Sequence, residues 1–320
     1  MPDSIRDTRL LRISRELFLA AFGVQQQTID SWVIDRLTSL LDEEDVQAGQ
    51  TLATAGEALE YVYFMQNGSV QMTRPGAAPW TFQGRWILGA FEAFLERPLM
   101  RSAVALSDFR AMKIRPNSWV ELLEDSYVLA RSAIRYGSAA VAKLEERVPG
   151  GLPKTSPEPS SQLPPLPALH DPPSVIERLA FLAEVEMLRG AGVQPLAELA
   201  SASLVRNFAE GELLFERGST HQPLFIVVDG EVLAKHGDTA PIWRYGPGDI
   251  VCGAASFGGV SDWQAKAGRP TRTLSFSLEV WFELMDEHFD LVRAAESALA
   301  QHREALLDHL AEQENGIVLE

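Results

Sequence analysis

The sequence has one cysteine, Cys252, among 320 residues. An intramolecular disulfide and a multi-cysteine zinc site are therefore excluded, and a reducing compartment fits. Positive charge is also scarce. Lys and Arg number 28 against 44 Asp and Glu, a net charge of −16, and the basic residues form no run. A duplex binder needs a basic face to displace counterions from phosphates, so nucleic acid and anionic membrane surfaces are the wrong partners. No uninterrupted apolar stretch reaches the roughly 18 residues of a spanning helix. The opening Met1-Pro2-Asp3-Ser4-Ile5-Arg6-Asp7 lacks the apolar centre of a secretory signal. The expected setting is cytoplasmic, without membrane insertion.

Proline, by contrast, is concentrated in one place. Residues 149–174 read PGGLPKTSPEPSSQLPPLPALHDPPS. Such a segment cannot continue a helix or sit inside a sheet, and it favours extended, semi-rigid chain. Pro164-Pro165-Leu166-Pro167 also has the composition of an SH3-type ligand, but a spacer is the simpler reading. The expected organisation is a first domain over residues 1–148, the linker 149–174, a second domain over 175–313 and a tail over 314–320. Residues 315–320 carry no pattern of their own.

The two halves repeat one another. Gly49, Gly56 and Gly68 recur as Gly211, Gly218 and Gly230, each 162 positions on, and Gly84 and Gly89 recur as Gly248 and Gly253, 164 positions on. Each glycine marks a turn with positive φ or a close backbone approach. Between them lie short β-type runs at 61–65, 69–73, 224–228 and 231–234. Asn67-Gly68 and Asp229-Gly230 are hairpin signals between such runs, and the regular spacing points to a sandwich or roll. Apolar residues at helical spacing mark helices at 10–22, 28–41, 175–188 and 195–204. Ala130, Ile134, Gly137, Val141, Leu144 and Val148 form a further stripe close to a heptad, and 291–312 reads as a long amphipathic helix. Each half is thus helix, strand roll, helix, an α+β class.

These residues carry a family resemblance. Phe181-Leu182-Ala183-Glu184-Val185, then 196–204, then Phe208-Ala209-Glu210-Gly211-Glu212-Leu213-Leu214-Phe215-Glu216-Arg217-Gly218 resembles the opening of a cyclic-nucleotide-binding domain. Leu224–Val232 is similar to the hairpin that follows there, and Tyr245-Gly246-Pro247-Gly248-Asp249-Ile250 to the approach to its phosphate-binding cassette. The first half resembles the same pattern less closely. The resemblance, to the superfamily of cyclic AMP receptors and kinase regulatory subunits, covers about residues 10–148 and 175–312. It implies two antiparallel eight-stranded, jelly-roll-like β-rolls, each flanked by helices.

In that family the cassette runs from a Gly-Glu pair to an Arg. The Arg and the backbone N–H groups of a short helix hold the cyclic phosphate, and the Glu holds the ribose. On the first half the resemblance assigns Gly89, Glu92, Arg101 and Ser102 to a nucleotide pocket. Ala90 stands where the sugar-binding Glu belongs, Glu92 would have to substitute, and Arg97 competes with Arg101. In the second half Ala254 replaces the Glu, and the next arginine taken for the cassette is Arg272. A hydrogen bond to a charged group is worth roughly 1.5–3 kcal/mol, so losing the Glu alone weakens binding at least tenfold or so. Both cassettes read as degenerate, with Phe257 or Trp263 expected to plug the second.

Other constellations lead nowhere. Ala254-Ala255-Ser256-Phe257-Gly258 lacks the first glycine of a nucleophile elbow, no phosphate-loop lysine or dinucleotide fingerprint is present, and the six histidines show no metal-ligand spacing. No catalytic residue and no metal are expected. Little sequence follows the last helix, so no winged helix is expected there, and no basic inhibitory segment of the kind found in kinase regulatory subunits is seen. The expected function is a non-enzymatic regulatory or scaffolding protein that binds protein partners, without a cofactor. The alternative is a sensor binding cyclic AMP or a related nucleotide in the first domain and signalling through the following helix. The two helix stripes serve either as a homodimer seam or as covers for their own rolls.

Overall fold

The two glycines of the predicted hairpins show why this chain turns where it does. Gly68 has φ 102° and Gly230 φ 103°. A Cβ on Gly68 would lie 2.5 Å from the Phe109 ring, and one on Gly230 2.6 Å from the Pro270 carbonyl oxygen. Only glycine satisfies both the backbone and the space at these positions. The structure is a computed structural model that describes residues 31–148, 150–152, 170, 172–219, 223–238, 242–259 and 262–319. The helix expected at 10–22 and most of the linker lie outside the described residues.

Two compact units divide the chain, one of residues 1–136 and 303–320, the other of residues 137–302. The first unit opens with α1 (Ser31–Leu40) and continues with β1 (Asp42–Val46), β2 (Thr51–Ala53), β3 (Val62–Met65), β4 (Ser69–Thr73), β5 (Trp80–Gln83), β6 (Trp86–Leu88), β7 (Ser102–Ala105) and β8 (Phe109–Ile114). A 3-10 turn, Glu92–Phe94, precedes β7. The strands form two sheets, β1-β8-β3-β6 and a second built on β5-β4-β7-β2, with antiparallel pairing throughout these eight. Phe82, Met65, Leu122 and Trp119 fill the core, with Trp119 edge-on to Phe64 at 5.7 Å. Two helices follow, α2 (Pro116–Glu124), entered through a proline in its first turn, and α3 (Tyr127–Arg147), which crosses the division between the units.

The second unit contains α4 (Val175–Glu184), α5 (Val193–Ala202), β9 (Leu204–Phe208), β10 (Leu213–Phe215), β11 (Leu224–Asp229), β12 (Val232–His236), β13 (Trp243–Tyr245), α6 (Gly253–Gly258), β14 (Trp263–Ala267), β15 (Thr271–Phe276) and α7 (Leu278–Glu287). Ser174 and Glu177 form a reciprocal capping box that starts α4. The sheets are β10-β14-β12-β13 and β11-β15-β9. Where the first roll has its strand β6, the second has one bridge, Ile226 to Ile250, so among the described residues seven strands and a bridge stand where eight strands were expected. Trp281 is fully buried and stacks on Phe276 at 5.7 Å.

The last helix, α8 (Phe289–Glu314), also crosses the division, and its turns from Arg303 onward belong to the first unit. Asn315 takes a left-handed conformation, φ 54°, and the Gly316 N–H donates to the Ala311 carbonyl at 2.8 Å. This six-to-one bond is a Schellman-type stop. It turns the chain so that β16 (Ile317–Leu319) runs parallel to β5, Ile317 opposite Trp80. Residues for which the sequence showed no pattern thus form an edge strand of the first roll. Among the described residues no helix is long and apolar enough to cross a membrane.

Candidate functional site

The expected site residues of the first roll follow from strand alternation. Along β7, Ala103 and Ala105 face inward and Ser102 and Val104 do not. Arg101, one residue ahead of Ser102, falls on the inward face and is 2% exposed. Its guanidinium lies 4.0 Å over the Trp80 ring and donates to the carbonyls of Ala78 at 2.9 Å and Met72 at 3.4 Å. Its Nη2 donates to Asp308 Oδ1 at 2.5 Å. Ser102 points elsewhere, accepting from the Ala55 N–H at 2.9 Å. Gly89, φ 88°, makes the turn into the short helix, where its carbonyl accepts from the Ala93 N–H.

Gly89 and Glu92 line a residual cavity of about 20 Å³ with Tyr63, Met72, Leu99 and Ala103. About 10–15 Å³ on this measure is the minimum for one water, and ligand pockets run to several hundred. The cassette as folded therefore has room for about one water. Of the four expected residues, Gly89 and Glu92 share this cavity, Arg101 is turned to Asp308, and the Ser102 hydroxyl holds the turn that follows β2.

What fills the site comes from α8, which sequence reasoning had given to the second half. Glu304 and Asp308 are four apart and share a helix face. Asp308 takes Arg101 and also Arg74, at 2.8 Å. Glu304 pairs with Arg97. Arg303, 6% exposed, lies 3.6 Å from Glu92 Oε1 and over the Phe91 ring at 4.7 Å. Burial pushes the Glu304 carboxyl up and Arg97 opposes it; burial pushes the Arg303 guanidinium down against the pull of Glu92 and Glu304. No local pattern announces such pairs, because each joins residues some 200 positions apart, as Arg101 and Asp308 do at a separation of 207.

The second cassette has the same frame and different contents. Strand register sets the correspondence. Val70 faces Ala105 and Val232 faces Ala267; Thr73 faces Ser102 and Lys235 faces Gln264. One residue further on, Trp263 occupies the place of Arg101 and His236 that of Arg74. Arg272, expected as the cassette arginine, is on β15 opposite Asn207, and its Nε reaches Asn207 Oδ1 at 3.4 Å. The glycine pairing also needs correction. Ile250 bridges Ile226 as Ile87 pairs Phe64, which puts Cys252, not Gly253, at the place of Gly89 and Gly253, not Ala254, at that of Ala90. Cys252 holds the left-handed turn at φ 49°.

Trp263 is 2% exposed and lies edge-on to Trp243 at 6.0 Å. Trp243 stands where the first roll has Trp80, and its Nε1 donates to the Val148 carbonyl at 3.1 Å. His236 faces Glu146 at 3.3 Å. Phe257 packs on Trp281 at 5.4 Å, so its ring belongs to helix packing. An indole is a single neutral donor and cannot neutralise a phosphate. Burial pushes the Cys252 thiol up, with Glu145 adding to the shift, and burial raises the Tyr245 hydroxyl. A thiol held protonated in this way is a packing group.

Two further features lie outside the cassettes. Glu198, Glu287 and His288 bring donor atoms within 4.8 Å of one another, and His288 Nε2 is 3.4 Å from Glu198. An open groove of about 660 Å³ runs beside Glu57, Glu60 and Arg115, and none of Gly89, Glu92, Arg101 and Ser102 lines it.

The profile of the cyclic nucleotide-binding domain family matches residues 205–288. No curated protein matches the chain. Similar solved structures include the regulatory domain of Toxoplasma gondii PKA with cAMP, at 15% identity over 92% of this chain and 97% of that one, TM-score 0.31. The regulatory subunit of a cAMP-independent protein kinase A from Trypanosoma brucei is 14% identical over 97% of this chain and 91% of that one, TM-score 0.33. The corresponding subunit from Trypanosoma cruzi, bound to guanosine, is 12% identical over 95% and 90%, TM-score 0.33. Similarities this low carry nothing about ligands. The comparisons thus place a match to the cyclic nucleotide-binding domain family at residues 205–288, within the second half of the chain.

Proposed function

We propose that the protein is a non-enzymatic regulatory or scaffolding protein whose two rolls work through protein partners, with both cassettes filled by the chain's own side chains. The observation that carries this reading is the pairing of Arg101 with Asp308, where a cyclic phosphate would need the same guanidinium. Trp263, at the matching position of the second roll, supports it from the other side. A nucleotide would have to displace a buried ion pair in the first unit and an aromatic pair in the second. Partner recognition has support in Ile176, 77% exposed, and Val193, 74% exposed, which open the two packed helices α4 and α5.

The sensor reading keeps one observation on its side: Arg101 still stands at the head of β7 on the inward face. Calorimetric titration of the intact protein with cyclic AMP, cyclic GMP and cyclic dinucleotides separates the two. The expected result is no saturable binding up to about 1 mM, weaker than about −4 kcal/mol. Low-micromolar binding that disappears in Arg101→Ala would establish the sensor instead.

A further inference from the structure

Asp308 is held by two guanidinium groups at once. Arg74 Nη2 lies 2.8 Å from Oδ2 and Arg101 Nη2 2.5 Å from Oδ1. The adjoining pairs, Glu92 with Arg303 and Arg97 with Glu304, each balance themselves. Among the described residues, the locus around Asp308 therefore sets two guanidinium groups against one carboxylate. Arg101 is 2% exposed and its Nε has no partner among the described residues, while Arg74 and Asp308 are 27% and 23% exposed. The buried arginine cannot escape to water, and the outer edge of the locus is open to it. A carboxylate sits where an anion from solution would sit, one charge short of balance.

We propose that Arg74 and Arg101 form a binding site for a dianionic phosphate, inorganic or a phosphate monoester, which competes with Asp308 and on binding loosens the pairing of β16, residues 317–319, with the first roll. This rests on the reading that Asp308 closes the first cassette. A phosphate monoester carries close to two negative charges near neutral pH and presents three acceptor oxygens. Two planar guanidinium forks match that demand. A cyclic phosphodiester has a single charge and offers no electrostatic gain over the carboxylate already present. Loosening of β16 follows from shared chain. The Ala78 carbonyl accepts from Arg101, and the next carbonyl, Pro79, accepts from the Ile317 N–H at 3.0 Å. An anion that pulls Arg101 and Arg74 from Asp308 therefore loosens the segment on which β16 pairs. Anion binding and tail docking oppose each other by the same factor in both directions.

The test uses the full chain and the near-isosteric variant Asp308→Asn. Inorganic phosphate, 5′-AMP and cyclic AMP are titrated by calorimetry, and hydrogen exchange is followed at the amides of Ile317–Leu319. Asp308→Asn is expected to bind inorganic phosphate and 5′-AMP at least about tenfold more tightly than the unmodified protein, with a smaller gain for cyclic AMP. Adding Arg101→Met should remove the gain. Tighter binding of 5′-AMP than of phosphate assigns the site to a monoester, and equal binding assigns it to the free ion. No gain in Asp308→Asn, a gain that survives Arg101→Met, or an equal gain for cyclic AMP overturns the proposal. Should Asp308→Asn fail to fold, the unmodified protein decides. Phosphate at high concentration should speed exchange at residues 317–319 relative to chloride at equal ionic strength, and unchanged exchange overturns the proposal. Tight cyclic AMP binding by the unmodified protein would instead sink the closed-cassette reading itself.

Discussion

In both rolls one inward side chain sits two residues ahead of a buried alanine. In the first it is Arg101, ahead of Ala103 and Ala105; in the second it is Trp263, ahead of Ala265 and Ala267. Each faces a tryptophan across the neighbouring strands, Trp80 or Trp243. The frame is shared and the chemistry is opposite. A buried cation has to be neutralised, and an acid from α8 does so; a buried indole needs only contact. A contact made by charge is open to competition by another anion in a way that packing of one indole against another is not. On the proposal made above, the occupant of the first roll is exchangeable and that of the second is fixed.

The contrast extends to buried acids, and there it is expected to have its largest measurable effect. The first unit faces Glu92 with Arg303. In the second, Glu296 on α8 is 5% exposed and burial pushes its carboxyl up from 4.5 to about 8. The folded state then favours the protonated acid. Its contribution to stability is complete below about pH 4.5, declines as pH rises through about 8, and is gone above that. Holding the proton from the ordinary carboxylate range up to about pH 8 is worth at most about 5 kcal/mol. Denaturant titrations from about pH 4 to pH 9 should show Glu296→Gln matching the unmodified protein in acid and exceeding it in base. An unchanged pH slope in the variant would remove Glu296 from the comparison.

Next in size is the plug itself. Trp263→Ala opens a cavity between Trp243 and His236, and a buried Trp truncated to Ala costs about 3–5 kcal/mol. Chemical denaturation of the full chain measures it. A loss below about 1 kcal/mol would mean that the indole is dispensable packing that the site can collapse around.

Much of this arrangement was legible in the sequence. Gly49, Gly56 and Gly68 and their partners Gly211, Gly218 and Gly230 all have positive φ, because a left-handed turn between strands leaves glycine as the residue without penalty. The same rule misled at the next turn. It paired Gly89 with Gly253, while the left-handed backbone falls on Cys252, a side chain held in that conformation by full burial. Arg272 matches the family's cassette arginine in residue type and not in place, since it lies on β15 opposite Asn207. The alanines at 103, 105, 265 and 267 repeat at the same 162-residue spacing as the glycines and would have pointed to Trp263. Asp308 left no trace of its role: it is one acid on an amphipathic helix, and its partners are set by where the chain returns.

The smallest expected effect sharpens the comparison most directly. Each roll brings one acid to its cassette: Asp308 meets Arg101 in the first, and Glu146 meets His236, at the place of Arg74, in the second. Double-mutant cycles to alanine would measure Arg101 with Asp308 against His236 with Glu146. The first pair is short, at 2.5 Å, with side chains 2% and 23% exposed; the second is 3.3 Å apart, with side chains 25% and 31% exposed. Breaking a buried pair costs about 3–5 kcal/mol, and the partial exposure of Asp308 together with its second partner Arg74 brings the expected coupling to about 2 kcal/mol. With His236 protonated, the second pair falls in the range of solvated ion pairs, about 0.5 kcal/mol or less, and should fade in salt within a Debye length of about 8–10 Å. Couplings of equal size would place both pairs in one class, and the division into an exchangeable and a fixed cassette would then rest on Trp263 alone.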